Sequence, residues 1–536
     1  MSAFPYLSTT IGTPLLGVAA IAVLPKERAA LARPIALLAS LVALGFAIAD
    51  AVAFKTGGPR FQLSESYAWI PTFHVNYSVA VDGVALVLIL MTAVLVPVVI
   101  LASWHDADAR GGALTPQGSP AESKRSVRGL FAQLLALETL MLGVFAATDI
   151  FLFYVIFEAT LIPAYFLIGS YGGARRSYAA VKFLLYNLLG GLLMLAAVIG
   201  LYVASTHSPV GAAFSFQTLS KAVGDGSLTM AGSTEKWLFL GFFIAFAVKA
   251  PMWPFHTWLP DAASEATPGT AVLLVGVLDK IGTFGMLRFC LELFPHASHY
   301  FTPLVLVLAV ISTIYGALLA IGQTDMMRLI AYTSVSHFGL ITIGVFALTA
   351  RGEVGATLYM VNHGLSTGAL FLLAGFMISR RGSKSIDAFG GVQKVAPLLA
   401  GTFLAVGLSS LALPGLSSFV SEFLVLVGAF EKYPVAAIFG TTAIVLAALY
   451  ILWWYQRTMT GPVASSVEGF KDLNRRELAV IGPLVALIVV LGFVPSILTN
   501  FINPAVSQIP AHVQITQQAP HSVAQDSATQ GNGSGQ

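Results

Sequence analysis

Apolar residues run along this chain in long blocks, separated by short clusters of Lys, Arg, Gly and Pro. A block of about 20 such residues is the length of a membrane-crossing helix. Fourteen of them can be laid on the sequence, near 7–25, 30–54, 79–103, 128–147, 149–170, 178–205, 236–259, 268–290, 301–322, 329–349, 354–379, 398–430, 434–456 and 478–502. The first is no cleavable signal, because no Lys or Arg precedes its apolar core and the first cation is Lys26. The pattern predicts an all-α polytopic membrane protein of about 14 transmembrane helices. The loops at 104–127 and 206–235 are Gly/Ser-rich and read as only partly ordered. The stretch from 503 to 536 has no apolar period and reads as a disordered tail.

Composition rules out water as the main solvent. The chain is 57% hydrophobic, and its 28 Lys and Arg and 25 Asp and Glu make up 10% of 536 residues, against roughly 25% in a soluble domain. A net charge of +3 leaves no nucleic-acid footprint. Cys290 is the only cysteine. One thiol cannot ligate an iron-sulfur cluster, form an internal disulfide or build a Cys-rich zinc site, so any redox chemistry linked to this chain is carried elsewhere.

Alternating the loops from side to side sorts the cations. Eighteen fall on one side, including Lys26, Arg110, Arg175, Arg328, Arg380, Lys394 and Arg475. Seven fall on the other: Lys55, Arg60, Lys221, Lys236, Arg288, Arg351 and Lys432. By the positive-inside rule the first side is cytoplasmic, and an even number of spans then puts both termini outside. The remaining three cations, Lys182, Lys249 and Lys280, lie within spans.

A charge at mid-span costs roughly 2.5 to 3.5 kcal/mol on insertion scales, so it needs a partner, water or a function. Glu138, Glu158, Lys182, Lys249, Asp279, Lys280, His337, His363 and Glu422 occupy the fourth to eighth and tenth to twelfth spans, one or two in each. Structural ion pairs such as Glu158 with Lys249 would account for any one of them. They account poorly for the set, because paired charges only offset desolvation. Lys can give up its proton on burial and regain it beside a carboxylate, as Arg cannot, and both histidines can relay protons near neutral pH. Lys182, near a cytoplasmic end, is equally explained by snorkelling. Asp279 points about 100° away from Lys280 along a helix, so it need not be its partner.

Two spans are interrupted at mid-depth. Pro251 and Pro254 break the seventh, and Pro251 clashes with the carbonyl of Ala247; Pro414, in Leu413-Pro414-Gly415, breaks the twelfth. Each break lies within two turns of a buried charge, Lys249 or Glu422. The seventh span is fourth in a block of five, as is the twelfth, and two consecutive five-helix blocks must have opposite topology, the plan of inverted repeats. The expected organisation is an N-terminal three-helix region over 1–127, a first repeat over 128–290, a second over 291–456, a last helix over 457–502 and the tail. Gly364-Leu-Ser366-Thr-Gly368 matches a hydrolase string but sits inside an apolar helix with no preceding strand, and no dinucleotide, phosphate-loop or zinc-protease motif occurs.

Several of these strings are long and specific. They include Phe246-Ala-Val-Lys249-Ala-Pro251-Met-Trp-Pro254-Phe-His256-Thr-Trp258-Leu-Pro260-Asp261, Leu278-Asp-Lys280-Ile-Gly-Thr-Phe-Gly-Met-Leu-Arg288, Met327-Arg328-Leu-Ile-Ala-Tyr-Thr-Ser-Val-Ser-His337, Phe157-Glu158-Ala-Thr-Leu-Ile-Pro163 and Leu413-Pro-Gly-Leu-Ser-Ser-Phe-Val-Ser-Glu422. Over about 128–500 the chain closely resembles the antiporter-like membrane subunits of respiratory complex I, the proton-pumping NADH-quinone oxidoreductase. Within that family the branches called L and N, and related cation/proton antiporter subunits, typically have Lys where Glu422 stands. The M branch has Glu, and the long C-terminal lateral helix of the L branch is missing, so the chain is similar to the M branch. The resemblance implies proton translocation coupled to quinone reduction in partner subunits, which would hold the NADH, flavin, iron-sulfur and quinone sites; this chain would hold no cofactor or metal. It implies Glu158 and Lys249 as a switchable pair in a first half-channel, Lys280 and His337 as a central relay, His363 as a further link and Glu422 as the group of a second half-channel. Glu138 and Asp149 are candidates for the proton-uptake path. Neighbouring antiporter-like subunits, the lipid bilayer and a bacterial cytoplasmic membrane are the expected surroundings. The alternatives are a multisubunit cation/proton antiporter, or an inert membrane scaffold.

Overall fold

The computed structural model describes residues 4–108 and 126–509. Most of the loop expected at 104–127, and all but the first residues of the tail expected from 503, lie outside them. Helices α1 (Tyr6–Ala22) and α2 (Ala32–Ala53) form an antiparallel pair. The all-helical expectation then needs a correction. Two antiparallel strands, β1 (Gln62–Ile70) and β2 (Val75–Val81), stand between α2 and α3 (Gly83–Ala102). A 20-residue hydropathy window averages such a short hairpin away.

The broken segments carry the central part of the fold. After α4 (Val127–Ala146), the fifth span divides at Thr160 into α5 (Ile150–Ala159) and α6 (Leu161–Tyr171). Pro163 offers no amide to the Ala159 carbonyl, which is why the helix resets there. Helix α7 (Arg176–Thr206) follows, and the loop after it contains an ordered amphipathic helix, α8 (Phe216–Gly224). Helix α9 (Gly232–Lys249) stops at Lys249, and α10 (Trp258–Glu265) resumes beyond the break. The eighth span, Pro268–Leu293, runs through α11 (Pro268–Leu273), a π-helical stretch at Leu274–Leu278, α12 (Lys280–Gly285), a second π-helical stretch at Met286–Cys290 and α13 (Leu291–Leu293). Helices α14 (Pro295–Ile321), α15 (Met326–Phe346) and α16 (Ala350–Arg381) are continuous. A short α17 (Val392–Val395) precedes the second divided span, α18 (Pro397–Ser410) and α19 (Ser417–Phe430), and then come α20 (Pro434–Met459), α21 (Arg475–Phe493) and α22 (Ser496–Val506).

Among the described residues, 11 helical segments are long and apolar enough to cross a membrane. The other expected spans correspond to α1 and to the pairs α9–α10 and α18–α19, which are short or interrupted at proline. The last expected span, 478–502, is not one helix: it turns at Val494-Pro495, and α22 packs across the start of α3. A Cβ on Gly83 would lie 1.6 Å from the Phe501 carbonyl oxygen. Burial separates a centre from a lipid-facing ring. The most apolar stretch of the eighth span is 100% buried, against 28% for α2. Helices α15 and α16 belong to the same centre, and the mid-span ionisable groups lie largely within it.

On the side poor in cations, several of the exceptions to the charge rule are neutralised in place. Arg60 makes paired bonds to Glu292 at 2.7 and 2.5 Å and approaches Asp82 at 3.4 Å, while Arg288 reaches Asp82 at 2.6 Å. Asp82 also caps α3 by accepting from the Ala85 amide. Arg351 pairs with Glu431, and Lys432 donates to the Leu348 carbonyl at 2.6 Å. Breaking one partner out of a buried network strands the other charge. Arg288→Met is therefore expected to destabilise the fold by roughly 3 kcal/mol, read as an earlier thermal unfolding of the detergent-solubilised protein. An unchanged transition would show that the Asp82–Arg288 pair contributes nothing.

Candidate functional site

Thr160 marks the gap between α5 and α6, where its hydroxyl donates to the Phe157 carbonyl at 2.6 Å. The same hydroxyl accepts from Lys249 Nζ at 3.1 Å. Lys249 is fully buried at the end of α9, with its ammonium 4.6 Å from the centre of the Phe157 ring. Its immediate partners are thus a hydroxyl and a π face. Glu158, the partner expected from sequence, makes no ion pair with it and acts only through electrostatic coupling. The Glu158 carboxylate sits instead against α7, in space that exists because residue 191 is glycine: a Cβ there would fall 1.6 Å from Oε1. The pair is open in this structure.

Protein groups line the break after Lys249, as backbone at membrane depth requires. Pro251 has no amide to offer Ala247, whose carbonyl accepts from Met252 N at 3.0 Å. The Val248 carbonyl takes the Trp258 indole N–H at 2.9 Å, and Trp253 N donates to Ser312 Oγ at 3.2 Å. Pro254 lies between these two contacts and leads into a turn at Phe255–Thr257.

The second half is a run of direct contacts. The π-helical stretch before α12 leaves the Val275 carbonyl to accept from Lys280 Nζ, which also meets His363 Nδ1 at 2.7 Å. His363 and His337 face each other with ring centres 5.2 Å apart. His337 Nδ1 contacts the Tyr359 hydroxyl at 2.7 Å, its Nε2 contacts the Tyr450 hydroxyl at 3.1 Å, and Tyr359 OH bonds to Glu422 Oε1. With Tyr359 donating to a Glu422 carboxylate, its oxygen accepts from His337, which assigns the neutral ring's proton to Nδ1 and makes Nε2 the acceptor for Tyr450. Glu422 lies in α19 beyond the break at 411–416, where Pro414 stands and Asn362 of α16 holds the Ser417 carbonyl at 2.6 Å.

The structure brings Lys280, His363, His337 and Glu422 into one line, with Lys249 and Glu158 beside it. Tyr359 and Tyr450 were not singled out in the sequence. Tyr359 had a signal: it precedes His363 by four residues and so shares its helix face. Tyr450 had none. Glu138 is fully buried in α4, and neither carboxylate oxygen is hydrogen-bonded. Asp149 is an N-cap: Oδ1 accepts from Phe151 N and Leu152 N, and Oδ2 accepts from Asn76 N of β2. Three backbone donors thus satisfy the carboxylate where it stands. Lys182 does not simply snorkel; it bonds to Asp261 at 2.7 Å, and Arg328 takes the other oxygen at 2.7 Å. Ser366, from the rejected hydrolase string, is buried with its Oγ on Ser409 Oγ at 2.8 Å. Among the described residues, no three of His, Cys, Asp and Glu converge as a metal site would require.

Interrupted helices around a buried line of Lys, His, Tyr and Glu define a polytopic membrane protein equipped to pass ions or protons at mid-depth. Residues 147–447 match the family model described as NADH:quinone oxidoreductase/Mrp antiporter, transmembrane, and the chain belongs to this family. It is 52% identical over 520 residues to NADH-quinone oxidoreductase subunit M of Mycobacterium tuberculosis, covering 94% of each chain. It is also similar to a chain of respiratory complex I from Thermus thermophilus, with 30% identity, a TM-score of 0.83 and coverage of 95% of this chain and 99% of that one. A chain of the Mrp complex from Dietzia sp. has the same fold at 19% identity and a TM-score of 0.78, covering 96% and 99%.

Proposed function

We propose that this chain is an antiporter-like, proton-translocating membrane subunit of a respiratory NADH-quinone oxidoreductase, with no redox centre of its own. The observation that carries the reading is the run from Lys280 through His363, His337 and Tyr359 to Glu422, a line of groups able to take up and release protons in the driest part of the fold. Each helix break admits the proton from one side, and the open Glu158–Lys249 pair is one position of a switch. When the carboxylate swings to the ammonium, the ion pair holds the proton; when it returns to Gly191, Lys249 can pass it on. NADH, flavin, iron-sulfur clusters and quinone belong to partner subunits, neighbouring antiporter-like subunits flank the chain, and the assembly sits in a bacterial cytoplasmic membrane with both termini outside.

A subunit of a cation/proton antiporter is the second reading, favoured by the shared fold. Glu422 counts against it, because the antiporter branch it resembles typically has Lys there. Glu158→Gln separates a relay from a scaffold. In inverted vesicles carrying the assembled complex, this variant is expected to lower proton flux per complex about tenfold, since a positioned proton-transfer group contributes on that order or more. Unchanged flux, with only assembly or stability altered, would mark these charges as inert pairs.

A further inference from the structure

Lys249 and Lys280 terminate the two halves described above, and no hydrogen bond joins them. Asp279 lies in this gap. It is fully buried, and neither carboxylate oxygen has a hydrogen-bond partner. Lys280, its neighbour in sequence, turns away to Val275 and His363. The backbone shows which way Asp279 faces. Gly282, three residues on and on the same side of the helix, presses against the end of α9, where a Cβ would lie 2.5 Å from Phe246 O and 2.6 Å from Ala250 N. Ala250 directly follows Lys249. The Asp279 carboxylate is thus directed at the α9 terminus and interacts electrostatically with both ammonium groups.

A carboxylate kept dry and without a donor is unfavourable unless counter-charges stand near it. Here the charges of both Lys249 and Lys280 act on it. We infer that Asp279 is the hand-over group joining the two halves of the relay, taking a proton from one buried lysine and giving it to the other. The step balances without electrons: the Lys249 ammonium becomes an amine as the carboxylate becomes a carboxylic acid, and the acid then protonates the Lys280 amine and is a carboxylate again. This rests on the relay reading above.

The test uses the complete complex in vesicles, with Asp279→Asn, Asp279→Glu and, as reference, Lys249→Ala. Asp279→Asn is expected to cut protons translocated per NADH oxidised at least about fivefold, with complex yield unchanged. Asp279→Glu should keep more than about half. Infrared difference spectra during turnover should lose one buried carboxylic-acid band in the Asn variant and shift it in the Glu variant. Normal pumping by Asp279→Asn alongside a silent Lys249→Ala would overturn the hand-over role and leave the relay intact; normal pumping by both would overturn the relay reading itself. If the Asn variant does not assemble, the Glu variant decides: assembled and pumping supports the role, assembled and silent refutes it.

Discussion

Lys249→Ala is expected to stop proton translocation, by at least about a hundredfold, while leaving the complex assembled. Lys249 is the ionisable group at the end of α9, and its ammonium reaches Thr160 in the gap between α5 and α6. The stability effect should be small. The ammonium is buried with a hydroxyl and a ring as its immediate partners, so deleting it removes a desolvation penalty as well as a contact. Thr160 keeps its bond to Phe157. Lys249→Arg should be equally silent, because a guanidinium holds its proton throughout. Proton uptake by inverted vesicles, followed with a pH-sensitive dye against NADH oxidation, gives the answer. An assembled variant with the normal proton-to-electron ratio would sink the assignment.

Tyr359→Phe should be the next most damaging change, and it should differ in kind. Its hydroxyl links His337 and Glu422. Without it the line is cut at one atom, and translocation is expected to fall roughly tenfold to a hundredfold. Unlike Lys249→Ala, the change also strands two buried polar groups, at a cost of about 1 to 3 kcal/mol each. Slower pumping should therefore come with a lower unfolding temperature. Tyr450→Phe removes only the contact at His337 Nε2, so it should share the thermal loss and spare most of the pumping. If Tyr450→Phe pumps worse than Tyr359→Phe, the line runs through the wrong hydroxyl.

Lipid makes much of this fold readable. It forces every backbone group into a helix or a protected break, so hydropathy finds the helices and prolines find the breaks at 251–254 and 414. The same rule hides what it does not require. The hairpin at Gln62–Val81 lies almost wholly before the third apolar block, and its strands are too short for a window tuned to spans. The division at Thr160 has its signal in Pro163, but the π-helical stretches before and after α12 leave none. At the site, burial cost flags the charged residues Lys249, Lys280 and Glu422, since a charge in lipid is conspicuous in any sequence. A tyrosine in lipid is not, so Tyr359 and Tyr450 surface only when three helices are brought together. Lys182 was ambiguous because its acid, Asp261, lies 79 positions away. The sequence carries no sign that backbone amides satisfy the Asp149 carboxylate.

The closure of Gly83 against Phe501 bears on how the molecule is made. Synthesis proceeds from the N-terminus, and α3 is inserted long before α22 exists. Until α22 has left the ribosome, the first turn of α3 lacks its cover. A helix made late thus finishes the packing of one made early, and any chain that stops short of Phe501 leaves the apolar start of α3 uncovered.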